Sequence, residues 1–251
     1  MFVKNIINNN IATIIISNEN KKNSLTRDFF IELAKELTKI ENNDNIKILI
    51  IKGEGSNFSS GVNLNELINF PSTIDAKEFA VLMETTMNKL FNFKKPTISV
   101  VDGFALGAGA GLILNTDISI FTENVKLGFP AVRIGAILPS ACTKRLVSTV
   151  GMKVAKDLLL TGKIINSEES LRLNIANYVV KNEELTGILT KITKQLLKAS
   201  PIALELTKET INSYTNTQNN LYSGDNFAYL YSTADWHQRI WNFLNKDNKK
   251  S

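Results

Sequence analysis

The 251-residue chain has one cysteine, Cys142, one histidine, His237, and five prolines. A single thiol excludes an internal disulfide framework and any Cys-based zinc site, and it suits a reducing compartment such as the cytoplasm. A single imidazole excludes multi-histidine centres, so no metal is expected, and a Ser-His-Asp triad would have to use His237. No apolar run reaches the ~18 residues of a membrane span. Met1-Phe2-Val3-Lys4 opens no apolar leader with a small-residue cleavage site. A cytoplasmic protein without a membrane partner is expected. Arginine is scarce as well: Arg27, Arg133, Arg145, Arg172 and Arg239 are all there are, against 24 lysines. Nucleic-acid readers cluster Arg with aromatics, whereas these lysines scatter among Asn and Glu. Nucleic acid is therefore not an expected partner, and the net charge of +5 favours at most small anions such as nucleotide phosphates. No G-x-x-x-x-G-K-[ST] and no G-x-S-x-G occurs. Gly107-Ala-Gly-Ala-Gly111 is G-x-G-x-G rather than the dinucleotide G-x-G-x-x-G, and Asp117 comes too early for a ribose contact.

What is present is alternation. Ile11–Ile16 is a β-branched run of strand length, and Asn23-Ser-Leu-Thr26 supplies turn and N-cap residues. Phe30, Leu33, Ala34, Leu37 and Ile40 then keep helical spacing. Ile46–Ile51 is almost continuously apolar, as a strand buried on both faces of a parallel sheet should be. A Gly/Ser loop spans Gly53–Gly61. Ala80, Met83, Met87, Leu90 and Phe91 mark a helix that ends near Lys94-Lys95-Pro96. A strand at Thr97–Val101 leads into a Gly/Ala loop at Gly103–Gly111, helical character to Asn115, and a strand at Asp117–Phe121. Repeated β-loop-α units predict a right-handed parallel α/β architecture. Beyond Pro139 helices are expected at 139–150, 153–161, 167–173, 184–199, 201–214 and 226–245.

The two glycine-rich loops each follow a buried strand, where open α/β sheets present unpaired N–H groups to ligands. Two such loops converging would offer two amide donors to one oxygen. From spacing alone, the same glycines serve equally well as tight turns and close helix packing.

Asn23-Ser-Leu-Thr26, Ile48–Lys52 with Gly53, Phe58-Ser-Ser-Gly-Val-Asn-Leu64, Lys95-Pro96 and Val101-Asp-Gly-Phe-Ala-Leu-Gly107 resemble the enoyl-CoA hydratase/isomerase (crotonase) superfamily. So do Asp117-Ile118, Leu160-Thr-Gly-Lys163 with Ser167-Glu-Glu169, and Asp235 ahead of Phe243. The resemblance covers essentially the whole chain. It implies an α/β fold, a spiral of ββα repeats over residues 1–195, and a C-terminal helical trimerisation region over 196–251. It further implies a homotrimer or dimer of trimers. The partner implied is an acyl-CoA or carrier-bound thioester, with coenzyme A part of the substrate and no separate cofactor. The thioester carbonyl would be held by two backbone amides, which fall on Ser60 and Ala108. Lys22, Ser24, Gly61, Val62, Asn63, Gly107, Gly111 and Ala131 complete the implied substrate-binding set.

The pattern breaks where hydratases of the family carry two glutamates, because those positions are Gly111 and Ala131 here. Acids of other members align near Leu138, Pro139 or Ser140, none of which is a carboxylate. Water addition and double-bond migration need a proton acceptor within reach of the substrate carbon, so ordinary hydratase activity is not expected. Loss of CO2 from a malonyl-type thioester needs no base, and Arg133 would suit an anionic substrate. A non-catalytic acyl-CoA-binding protein is the other alternative. Cys142 is expected to pack, Glu66 to lie on a solvated helix face, and His237 to lie at a surface or interface. Asn174 stands where the family has glycine, and Asn tolerates positive φ.

Overall fold

The computed structural model describes residues 2–214, 233–236 and 238–239. His237 and most of the helix expected over 226–245 lie outside the described residues. In chain order the first half comprises β1 (Val3–Asn8), β2 (Ile11–Ile16), α1 (Arg27–Glu41), β3 (Ile48–Gly53), α2 (Leu64–Leu67), α3 (Thr73–Phe91), β4 (Thr97–Val101), β5 (Phe104–Leu106) and α4 (Ala108–Leu114). The second comprises β6 (Ile118–Thr122), β7 (Lys126–Gly128), α5 (Ser140–Thr161), β8 (Ile164–Asn166), α6 (Ser167–Arg172), β9 (Tyr178–Val180), α7 (Leu185–Lys198) and α8 (Pro201–Ser213). A 3-10 turn at Pro130–Ile134 links β7 to α5.

Six strands form one sheet in the order β1-β2-β3-β4-β6-β9, parallel except for the β1–β2 hairpin. The apolar run of β3 and the strand β4 sit at its centre, and all five residues of β4, Thr97 and Ser99 included, are buried. One face packs on the main core with Phe29, Phe30, Leu33, Leu37 and Ile40 of α1. The other presents Ile48, Ile50, Ile98, Val100 and Ile120 to the apolar stripe of α7. A helix of this length is marginal alone, so α7 owes its stability to that sheet face. Residue 195, the boundary expected between core and C-terminal region, falls inside α7.

The expected loop over 103–111 is instead ordered: it contains β5, and α4 begins at Ala108. β5, β7 and β8 form a second, three-stranded sheet. The helices expected at 139–150 and 153–161 are the two limbs of α5, kinked at Gly151. Asn174 has φ 60°, as its substitution for glycine predicts.

Candidate functional site

Residues 58–63 run between two neighbours and are hydrogen-bonded to both. Toward β5, the Ser59 N–H donates to Phe104 O at 2.8 Å, and the Leu106 N–H donates to Ser59 O at 2.9 Å. Toward residues 22–25, the Ser60 N–H donates to Lys22 O at 2.9 Å. On the same side Leu25 N–H reaches Gly61 O and Asn63 N–H reaches Leu25 O, each at 2.8 Å. Gly61 has φ +93°, which side-chain-bearing residues rarely adopt. That value breaks the strand alternation, turning the Gly61 carbonyl toward Leu25 and leaving the Val62 N–H facing away from it.

On that other side β5 passes into α4 through Gly107, at φ 53° and ψ −117°. Ala108 is the first residue of α4, so its N–H has no intrahelical acceptor. A Cβ placed on Gly61 would lie 2.8 Å from Leu106 O and 3.6 Å from the Ala108 nitrogen, so the two turns touch. The Ser60 amide, expected as the first donor, is committed to Lys22 O. Among the described residues no acceptor is found for the amides of Val62 and Ala108. Of the two amides the sequence suggested, that of Ala108 has no acceptor among the described residues and that of Ser60 does; the acceptor-free amide next along the first turn is that of Val62.

Both residues line a cavity of about 580 Å³. Its walls are α2, the loop to Phe70, one face of α3 and the segment Pro130–Pro139. Among the described residues the lining contains no carboxylate, and its only polar side chains are Ser60 and Arg133. Arg27, Arg172 and Arg239 pair with Glu78, Glu169 and Asp235, but Arg133 has no carboxylate partner among the described residues.

The other expected residues separate into two groups. Ser60, Gly61, Val62, Gly107, Ala108 and Ala131 line the cavity. Gly111, Asn63, Lys22 and Ser24 do not. Gly111 is buried, and a Cβ there would lie 2.9 Å from Cys142 Sγ, so the thiol fills the place a longer side chain would need. Burial pushes the Cys142 thiol up to about 12, which keeps it protonated and unreactive. Asn63 Oδ1 caps α2 by accepting from the Asn65 N–H at 3.0 Å. The Lys22 ammonium lies 4.9 Å from the centroid of the Phe104 ring. Ser24 is buried and its Oγ accepts from Asn18 Nδ2 at 3.2 Å. Glu66, rather than being solvated, accepts the Arg27 N–H with both oxygens at 3.0 Å and caps α1. Glu84 holds the start of α5, accepting from Ser140 Oγ at 2.7 Å and the Ala141 N–H at 2.8 Å.

Two supporting residues were not evident from sequence. Asn23, fully buried at φ 54°, donates from Nδ2 to Glu54 O at 2.8 Å and to Asn57 O at 2.7 Å. Ser59 Oγ donates to Asn23 O at 2.7 Å and accepts from the Gly61 N–H at 3.1 Å. Together they lock the turn that carries Val62. The signal available was Asn-Ser in a turn facing Phe-Ser-Ser-Gly, which reads as polar loop until the burial is known. Among the described residues no group of three or more His, Cys, Asp or Glu forms a metal site, and no helix is long and apolar enough to cross a membrane.

Comparison with known proteins bears on this geometry. Residues 6–249 match the family model for enoyl-CoA hydratase/isomerase. The short-chain-enoyl-CoA hydratase of Clostridium acetobutylicum is 29% identical over 94% of this chain and 92% of its own. The crotonyl-CoA hydratase of Syntrophomonas wolfei is 31% identical, also over 94% and 92%. The crystal structure of an enoyl-CoA hydratase from Bacillus anthracis superposes with a TM-score of 0.90 at 26% identity, covering 98% of this chain and 97% of that one. The fold is accordingly the crotonase fold, here with no carboxylate among the described residues that line its cavity, and the chain belongs to the enoyl-CoA hydratase/isomerase family.

Proposed function

We propose that the protein binds an acyl-CoA or carrier-bound thioester and stabilises its enolate by donation from the Val62 and Ala108 amides to the thioester oxygen. The observation that carries this reading is two main-chain N–H groups without acceptors, on touching turns, at one cavity. Donors fixed by the fold stabilise charge developing on an oxygen without reorganising at the moment of reaction. Ala108 adds the positive end of α4, a modest contribution within the first helical turn. The proposal includes the homotrimer or dimer of trimers that the family resemblance implies, which light scattering checks against the 27.9 kDa chain.

Proton transfer is where the reading departs from the hydratases that the relatives are named for. A base contributes roughly 10²–10⁴-fold when it reaches the reacting carbon, and among the described residues no carboxylate lines this cavity. Hydration of crotonyl-CoA by the purified protein is therefore expected to be at least 100-fold below that of a glutamate-bearing relative assayed alongside. A comparable rate would overturn this part of the reading.

Arg133 favours a second reading, decarboxylation of a malonyl-type thioester. Breaking the carboxylate's C–C bond releases CO2 and leaves its electron pair as the enolate, which a solvent proton then quenches. Among the described residues no lining carboxylate repels the departing one, and the Arg133 guanidinium, without a carboxylate partner there, attracts it. CO2 release from malonyl-CoA or methylmalonyl-CoA, reduced tenfold or more in Arg133→Gln, is the expected result. Thermal stabilisation by acyl-CoA with no product from any thioester would instead identify a non-catalytic binder.

A further inference from the structure

We infer that the acyl group taken by this site is an unbranched hydrocarbon of about eight to twelve carbons rather than a four-carbon one. This rests on the acyl-thioester reading above and deepens it. In that reading the carbonyl is held by the amides of Val62 and Ala108, both of which line the cavity. Ala76, Phe79, Ala80 and Met83 of α3 line the same cavity, at the i, i+3, i+4, i+7 spacing of a single helix face. At ~1.5 Å per residue, seven residues make a stripe about 10 Å long. With C–C bonds of ~1.5 Å an extended chain advances about 1.3 Å per bond, so the stripe matches about eight carbons.

The lining outside α3 has the same character. Ile134 and Ile137 line the cavity and are 57% and 88% exposed, and Leu64 on α2 is 52% exposed. These side chains flank the same cavity, so a chain lying between them and α3 removes apolar surface from water on both sides. No polar side chain besides Ser60 and Arg133 interrupts that lining among the described residues, so the amides of a pantetheine arm would find few side-chain partners there. The volume, about 580 Å³, lies within the ~300–1,000 Å³ of pockets that enclose whole drug-sized ligands.

Isothermal titration of the full chain with butyryl-, octanoyl-, decanoyl- and dodecanoyl-CoA tests the inference. Each fully buried methylene tightens binding about fourfold, so Kd is expected to fall at least thirtyfold from butyryl to octanoyl and to level off by dodecanoyl. Ala80→Phe, which fills the stripe, should collapse the octanoyl-to-butyryl ratio to within threefold. Ile137→Ser, on the exposed lining outside α3 and safe for folding, should lower that ratio severalfold. Kd values equal within threefold from butyryl to decanoyl would overturn the chain-length inference while leaving the thioester reading standing. Failure of every thioester to bind would overturn both.

Discussion

Within one turn of α4, Ala108 and Gly111 meet opposite surroundings. At Ala108 the backbone opens onto the cavity and offers an N–H; at Gly111 the chain is pressed against Cys142 Sγ. The first place works through main chain, so its function survives any side chain that leaves the turn intact. The second would work through a side chain, and packing has closed it. A site can thus keep the part of its chemistry written in backbone geometry while losing the part written in side chains.

The largest effect should come from attacking the geometry itself. Gly61→Val combines φ +93° with a Cβ 2.8 Å from Leu106 O. Strain of ~1–3 kcal/mol plus overlap should lower the denaturation midpoint markedly and abolish acyl-CoA binding by calorimetry. Next, Ala108→Pro deletes one donor at a helix position where proline is tolerated. Turnover of whichever thioester proves to be the substrate should drop by roughly 10²–10³-fold, with thermal stability close to wild type.

Gly111→Glu tests the closed side. Overpacking against Cys142 should cost about 1–3 kcal/mol and bring no hydration of crotonyl-CoA; adding Cys142→Gly should recover stability in urea melts by opening the space. The smallest effect concerns pH. Burial pushes the Cys142 thiol of the folded chain up to about 12, above the ordinary thiol value of 9.0. Above pH 9 the unfolded chain releases this proton and the folded one does not, so this thiol's contribution is whole below 9 and fades between 9 and 12. Wild type should therefore lose stability more steeply than Cys142→Ala across that window.

Much of this was legible in the sequence. β2 and β4 fall where their β-branched runs end, and α6, α7 and α8 match their expected spans to within a residue or two. β3 runs Ile48–Gly53 rather than Ile46–Ile51, because its register is set by pairing with β2 and β4 and not by where the apolar run begins. The three-residue strands β5, β7, β8 and β9 carry too few residues for periodicity to register. β1 was hidden because it lies at the sheet edge with only Val3 buried. Within the site, the presence of two donor turns was readable from small residues after buried strands. Which amide of Ser60-Gly-Val62 is free was not, because a single positive φ at Gly61 reverses the direction in which successive N–H groups point.

The turn bearing Val62 hangs from residues 22–25 by three main-chain bonds, and Lys21 and Lys22 beside them stand exposed. Whatever docks on those ammonium groups pulls on the same strip of backbone that aims the Val62 N–H. Under the proposed function, gripping a ligand's distant end would then help align its reactive end, and a truncated ligand would forfeit rate as well as affinity.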